Sequence, residues 1–157
     1  MVTKKRLMDV AMVAALLLLA VLGYTLSPLL LPVADVTATP ESDCDLHAGP
    51  CAATLPDGRR ISLSVTPRPI PVVKPLELEV SLTGPVASRR VEVDFAGVDM
   101  NMGLNRTVLK PAGEGRYAGQ ATLPVCITGG MAWKATVLVE EGRQKIAASF
   151  RFETGSH

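Results

Sequence analysis

Histidine is scarce in this 157-residue chain, which contains only His47 and His157. A blue-copper site needs two histidines beside a cysteine and a weak axial methionine, and a catalytic zinc site also draws on such ligands. A Ser-His-Asp arrangement has no suitable histidine, and no glycine-rich phosphate loop is present. We therefore expect neither a cupredoxin nor a zinc hydrolase, and we predict that the chain is not an enzyme.

Net charge is also low, at +1, and aromatic residues make up only 4% of the chain. The most basic stretch is Lys4-Lys5-Arg6, and beyond residue 35 the acidic and basic residues balance. A nucleic-acid-binding domain carries a basic patch or stripe, which this composition does not offer. We exclude nucleic acid as a partner.

A long apolar run occupies residues 10–31. As a helix, this run would span the roughly 30 Å of a hydrocarbon core. We predict a cytoplasmic tail at residues 1–6 and a single transmembrane anchor at residues 7–31, oriented by the basic tail. The alternative is a cleaved signal peptide with its apolar core at residues 10–22, although Pro32 makes cleavage after Ala34 unfavourable. Both readings take the rest of the chain out of the cytoplasm, and we expect it in the bacterial periplasm, tethered to the inner membrane.

Residues 32–51 are polar, contain proline and aspartate, and lack periodicity, so we interpret them as a linker. The linker contains Cys44, His47 and Cys51. Neighbouring cysteines in an oxidising compartment usually pair, which favours a Cys44–Cys51 disulfide. The alternative is a metal or redox site of the form C-x2-H-x3-C, with His47 as a ligand. Cys126 is then the odd cysteine.

Residues 52–157 alternate between apolar and polar side chains, as half-buried strands do. The clearest example runs from Leu76 to Leu82, and turn signals recur at the spacing of short strands. Helix is nearly absent beyond the anchor. We predict an all-β domain, an immunoglobulin-like β-sandwich of about seven or eight strands.

Four sulfur-containing residues lie on two segments of this domain: Met100, Met102, Cys126 and Met131. In extended backbone the two thioethers of the first segment leave the same face. If both segments meet at one end of the sandwich, the four sulfurs make a site for Cu(I), which prefers soft ligands. The alternative is packing, because methionine fills irregular gaps in a core.

The order of basic tail, single anchor, proline-rich entry and compact β-domain resembles the FixH and YtkA-like group of bacterial membrane-anchored proteins. The short stretch Asp99-Met100-Asn101-Met102-Gly103 adds to that resemblance. The resemblance implies a role in copper handling and in the assembly of haem–copper oxidases. The partner it implies is a cytochrome oxidase assembly factor or a copper transporter.

Three hypotheses follow for the function of the domain. The first is a membrane-tethered accessory protein that binds Cu(I). The second is a non-metal interaction module that contacts a membrane partner through an exposed apolar patch. The third is a thiol–disulfide participant that uses Cys44, Cys51 and Cys126.

Overall fold

A computed structural model of the chain describes residues 2–30, 34–84, 88–100, 103–124 and 130–155. The chain forms two compact units, Met1–Val33 and Ala34–His157. The first unit is the helix α1 (Val2–Leu30). Its segment Arg6–Thr25 has a mean hydropathy of 2.3 and is long and apolar enough to cross a membrane. A signal sequence has the same properties, so both readings of the N-terminus agree with this helix.

The second unit contains nine strands among the described residues. In chain order they are β1 (Val36–Pro40), β2 (Cys51–Thr54), β3 (Arg60–Thr66), β4 (Pro75–Leu82), β5 (Ser88–Gly97), β6 (Arg106–Gly113), β7 (Arg116–Thr122), β8 (Met131–Glu141) and β9 (Gln144–Thr154). The predicted all-β domain with one N-terminal helix is confirmed at this level. Strand β1 lies inside the segment that the sequence analysis interpreted as a linker. This segment is a strand because its residues bond to two other strands.

The strands close into one barrel in the order β1-β2-β3-β4-β7-β6-β5-β8-β9. Two strands change partner along their length. In β1, residues as far as Ala38 pair in parallel with β9, and Thr39 and Pro40 pair with β2. In β6, residues as far as Leu109 pair with β5, and Lys110 onward pairs with β7. The prediction of an immunoglobulin-like β-sandwich is therefore wrong: these two strands join what would be separate sheets into a closed, mixed barrel.

The core follows the alternation read from the sequence. In β4, Leu76, Leu78 and Val80 are buried while the glutamates between them are exposed. The three largest fully buried side chains, Trp133, Phe95 and Phe150, come from β8, β5 and β9. Each aromatic side chain removes a large apolar area from water, so the burial of these three rings stabilises the barrel.

The barrel has two distinct ends. At one end, which we call the hairpin end, lie the tight turns at residues 55–59, 114–115 and 142–143. The second unit also begins there, because the N–H of Asp35 donates to the carbonyl of Lys145 at 2.8 Å. At the other end, which we call the loop end, lie the longer connections. Among the described residues, these connections comprise 41–50, 67–74, 98–100 and 103–105. The start of β8 and the end of β9 also lie at this end.

An ion-pair cluster joins two turns at the hairpin end. The guanidinium of Arg59 donates to both oxygens of the Glu141 carboxylate, at 2.7 and 2.8 Å. The backbone N–H of Arg59 donates to Asp57 at 3.0 Å and its side chain donates to the same carboxylate at 2.7 Å. These bonds, the backbone one first, lower the pKa of Asp57 below its usual 3.8. The cluster is distant from the loop end and has a structural role.

Candidate functional site

At the loop end, the backbone carbonyl of Met100 and the side-chain methyl group of Met131 both lie against Gly97. Gly97 is the last residue of β5 and pairs with Trp133 of β8. The N–H of Val98 then donates to the carbonyl of Ala132 at 2.9 Å, so the chain after β5 runs beside the start of β8. Two residues later it reaches Met100, whose backbone carbonyl lies against Gly97.

Gly97 allows this approach because it lacks a side chain. A Cβ built on it would lie 2.1 Å from the Met131 methyl carbon and 2.4 Å from the Met100 carbonyl oxygen. Both distances are far below van der Waals contact, so the methyl group and the carbonyl occupy the space of the missing Cβ. Gly97 is therefore a position where two segments approach closely.

The two methionines differ in exposure. Met131 is only 9% exposed and belongs to the hydrophobic core, whereas Met100 is 45% exposed. Met131 pairs with Thr154 at the end of β9. The Thr154 hydroxyl accepts a 2.9 Å hydrogen bond from the indole N–H of Trp133, a fully buried ring. This part of the site is thus held rigidly, and its outer part lies in solvent.

The other two predicted ligands, Met102 and Cys126, lie outside the described residues. The described chain stops at Met100 on one segment and resumes at Gly130 on the other, so both gaps adjoin the Met100–Met131 pair in sequence. Across the described ranges, no group of three or more histidine, cysteine, aspartate and glutamate side chains is placed to hold a metal ion.

The cysteine pair lies in the 41–50 loop and at the start of β2. Cys44 and Cys51 are at disulfide distance, with their Cα atoms 5.4 Å apart. The pairing that the sequence favoured is therefore present. Both sulfurs are used in it, which leaves no free thiol for the alternative C-x2-H-x3-C site.

His47, the second-choice metal ligand, has partners on both ring nitrogens. The N–H of Ile70 donates to Nδ1 at 3.2 Å, and Nε2 lies 2.7 Å from the carbonyl oxygen of Glu153. With Nδ1 accepting from Ile70, Nε2 is placed to donate to the Glu153 carbonyl. His47 therefore holds the 41–50 loop, the 67–74 loop and the end of β9 together, which is a structural role.

A second feature of the loop end is its outer surface, which sequence reasoning missed. Leu104 is 82% exposed and Val98 is 40% exposed. On the adjoining strands Lys134 of β8 pairs directly with Arg151 of β9, and both side chains are exposed. The signal was present in the sequence: the two-residue turn at residues 142–143 sets the register of the β8–β9 hairpin, and counting back from it pairs these two cations.

Comparison with known proteins places the chain in no group, since no protein-family model, no curated protein and no solved structure matches it.

Proposed function

We propose that this chain is a membrane-tethered periplasmic accessory protein that binds Cu(I) at the loop end of its barrel. The thioethers of Met100 and Met131 are two of the ligands, and Met102 and Cys126 supply the others. The observation that carries the proposal is the approach of the Met131 methyl group and the Met100 backbone carbonyl to the same point at Gly97, which brings the two methionine residues close together. The proposal includes α1 as an uncleaved anchor and a role in haem–copper oxidase assembly, as the resemblance to the FixH and YtkA-like group implies.

The chemistry of these ligands suits a soft monovalent metal. Thioether and thiolate sulfur favour Cu(I), and the thiolate of Cys126 would contribute the strongest bond. The nearly buried Met131 would shield the metal from water on the inner side. The exposed Met100 would leave the outer side open to a protein that delivers or receives the metal. A site with one buried and one exposed ligand thus suits transfer.

The test is an anaerobic Cu(I) titration of the full chain in detergent micelles against a colorimetric Cu(I) chelator. Leucine has nearly the volume of methionine and keeps the packing, so M100L and M131L remove sulfur alone. We expect each to weaken Cu(I) binding by about tenfold or more, since each removes one soft donor. C126S should weaken it further. The matched control is M12L, which removes a thioether from α1 and should leave the affinity unchanged.

One result of this titration would contradict the copper proposal. If M131L and M100L bind Cu(I) as the unaltered chain does, the two methionines are packing residues and the copper proposal fails. Thermal unfolding of each variant, compared with that of the unaltered chain, separates loss of the ligand from loss of the fold.

A second candidate function is the interaction module, in which the barrel binds a protein partner without metal. The exposed side chains of Val98, Met100 and Leu104, which lie on one connection at the loop end, favour it. Exposed apolar residues grouped on one loop are typical of interaction surfaces. The third hypothesis, thiol–disulfide exchange, has no comparable observation in its favour.

A further inference from the structure

We propose that the outer face of β5, β8 and β9 at the loop end binds an extended acidic segment of a partner protein. We call this surface the cationic face and define it by Ala96, Val98, Leu104, Ala132, Lys134 and Arg151. The inference rests on the interaction-module candidate and names the surface and the chemistry of the partner. It does not depend on copper.

The centre of the cationic face is a pair of like charges. Lys134 of β8 lies directly opposite Arg151 of β9, and on its other side Lys134 faces Ala96 of β5. Neither cation forms an ion pair with any residue that the structure describes. Like charges directly opposite each other on a sheet are destabilising. An anion from outside the barrel would relieve that repulsion.

Carboxylates border the cationic face without neutralising it. Asp94 lies two residues before Ala96 on β5. Its carboxylate is oriented toward Arg106, with an N–O distance of 3.8 Å. Glu153 is exposed, two residues beyond Arg151. In the same row of the sheet as Asp94, the hydroxyls of Thr136 and Ser149 bond to each other at 3.0 Å. The two cations are therefore left for a partner.

The apolar part of the cationic face lies beside the cations. The N–H of Phe95 donates to the carbonyl of Asn105 at 2.9 Å, which extends the β5–β6 ladder and brings Leu104 alongside Ala96. Val98 bonds through its backbone to Ala132. The side chains of Ala96 and Ala132 are small, so a partner backbone can approach the sheet closely. Leu104 and Val98 then contact its apolar residues.

These features favour a peptide over a lipid surface. Lysine and arginine pair with carboxylates, and the arginine fork accepts one in bidentate geometry. A uniformly anionic lipid surface would also meet the carboxylates of Asp94 and Glu153, which repel it. An extended peptide can place its carboxylates against the two cations and its apolar side chains against Leu104.

The experiment uses the full chain in detergent micelles and a fluorescein-labelled peptide of alternating glutamate and leucine, with binding followed by fluorescence anisotropy. A peptide of alternating serine and leucine tests the contribution of charge. Short-chain phosphatidylglycerol, added as a competitor, tests a lipid headgroup. We expect the acidic peptide to bind more tightly than the serine peptide, and the lipid to compete weakly.

The variant K134E/R151E reverses the charge of the cationic face. Because it adds two carboxylates beside Asp94 and Glu153, we expect some loss of stability, which thermal unfolding measures. We expect the variant to weaken binding of the acidic peptide by about tenfold, since each exposed ion pair is worth up to about fivefold. The matched control is R116E/R143E, which makes the same change in net charge at the hairpin end. It should alter binding by less than about twofold. If K134E/R151E does not fold, K134Q/R151Q replaces it.

Three results would overturn the inference. One is equal binding of the acidic peptide by K134E/R151E and the unaltered chain. Another is no binding of that peptide at all, and the last is competition by phosphatidylglycerol at lower concentration than by the peptide. If L104S weakens binding of both peptides while K134E/R151E has no effect, the interaction module stands and the assignment of the cations fails. The interaction module and the role of the two cations are thereby tested separately.

Discussion

Replacing Gly97 with alanine tests the close approach on which the candidate site depends. The new Cβ would lie 2.1 Å from the Met131 methyl carbon, so that carbon must move by at least 1.3 Å to reach the 3.4 Å of an ordinary contact. The methyl group is the end of a flexible side chain and can rotate away. The Met100 carbonyl, at 2.4 Å, belongs to the backbone and can move only with the 98–105 loop.

The expected loss of stability is the balance of two effects. Crowding of this kind typically costs about 1–3 kcal/mol. Alanine also restricts the unfolded chain, which returns about 0.4–1 kcal/mol. We therefore expect G97A to lower the free energy of unfolding by about 1–2 kcal/mol. For a unit of this size, that corresponds to a fall in Tm of roughly 3–8 °C.

Urea unfolding of the full chain in micelles, followed by Trp133 fluorescence, measures this loss. The matched control is G49A, because a Cβ at Gly49 meets no atom within 4 Å. In the background of M131A the cost of G97A should fall by about 0.5 kcal/mol or more, since contacting residues are coupled. A G97A variant as stable as G49A, or with no coupling to M131A, would refute the reasoning that Met131 and the Met100 backbone close over Gly97.

Two further predictions concern the fold around the site and at the hairpin end. Because bonds from Arg59 lower the pKa of Asp57, the contribution of this carboxylate to stability is complete above pH 3.8 and is lost as the pH falls through the lowered value. D57N should therefore flatten the dependence of unfolding free energy on pH in that acidic range, and an unchanged pH profile would contradict this. T154V leaves the buried indole N–H of Trp133 without its acceptor and should cost about 1–3 kcal/mol by urea unfolding. T154S, which keeps the hydroxyl, should recover most of that loss; equal stability of T154V and the unaltered chain would show that the hydrogen bond contributes little.

The strands were predictable where their pattern is local. The alternation of Leu76, Leu78 and Val80 with glutamates needs only neighbouring residues to be read, and the structure confirms it. Barrel closure depends on β1, whose sequence V-T-A-T-P buries one residue, Ala38, and reads as linker. Its pairing with β9 joins residues far apart in the chain, which no local pattern shows. The change of partner within β6 likewise has no signal in its sequence.

The candidate site was predictable only in part, because some of it depends on contacts between residues that are distant in the chain. Soft sulfur in two segments is visible in the sequence, but the position of Met131 over Gly97 depends on the register between β5 and β8. The roles of Met102 and Cys126 stay predictions. His47 was considered as a ligand because of its spacing from the cysteines, whereas its two partners come from the distant Ile70 and Glu153. The opposed cations of the cationic face were readable from a turn, since a hairpin fixes its own register.

The pairing of β1 with β9 also determines the order in which the barrel can form. Val36 of β1 pairs with Ile146 of β9, the last of the described strands. This parallel pairing can therefore form only after β9 has been synthesised. The hairpins β2–β3, β6–β7 and β8–β9 join neighbouring segments and can form as soon as they are synthesised. Closure between residues this distant carries the largest loss of chain entropy and is intrinsically slow. Until β1 and β9 pair, each presents an unpaired strand edge, which is the kind of edge that pairs with other chains.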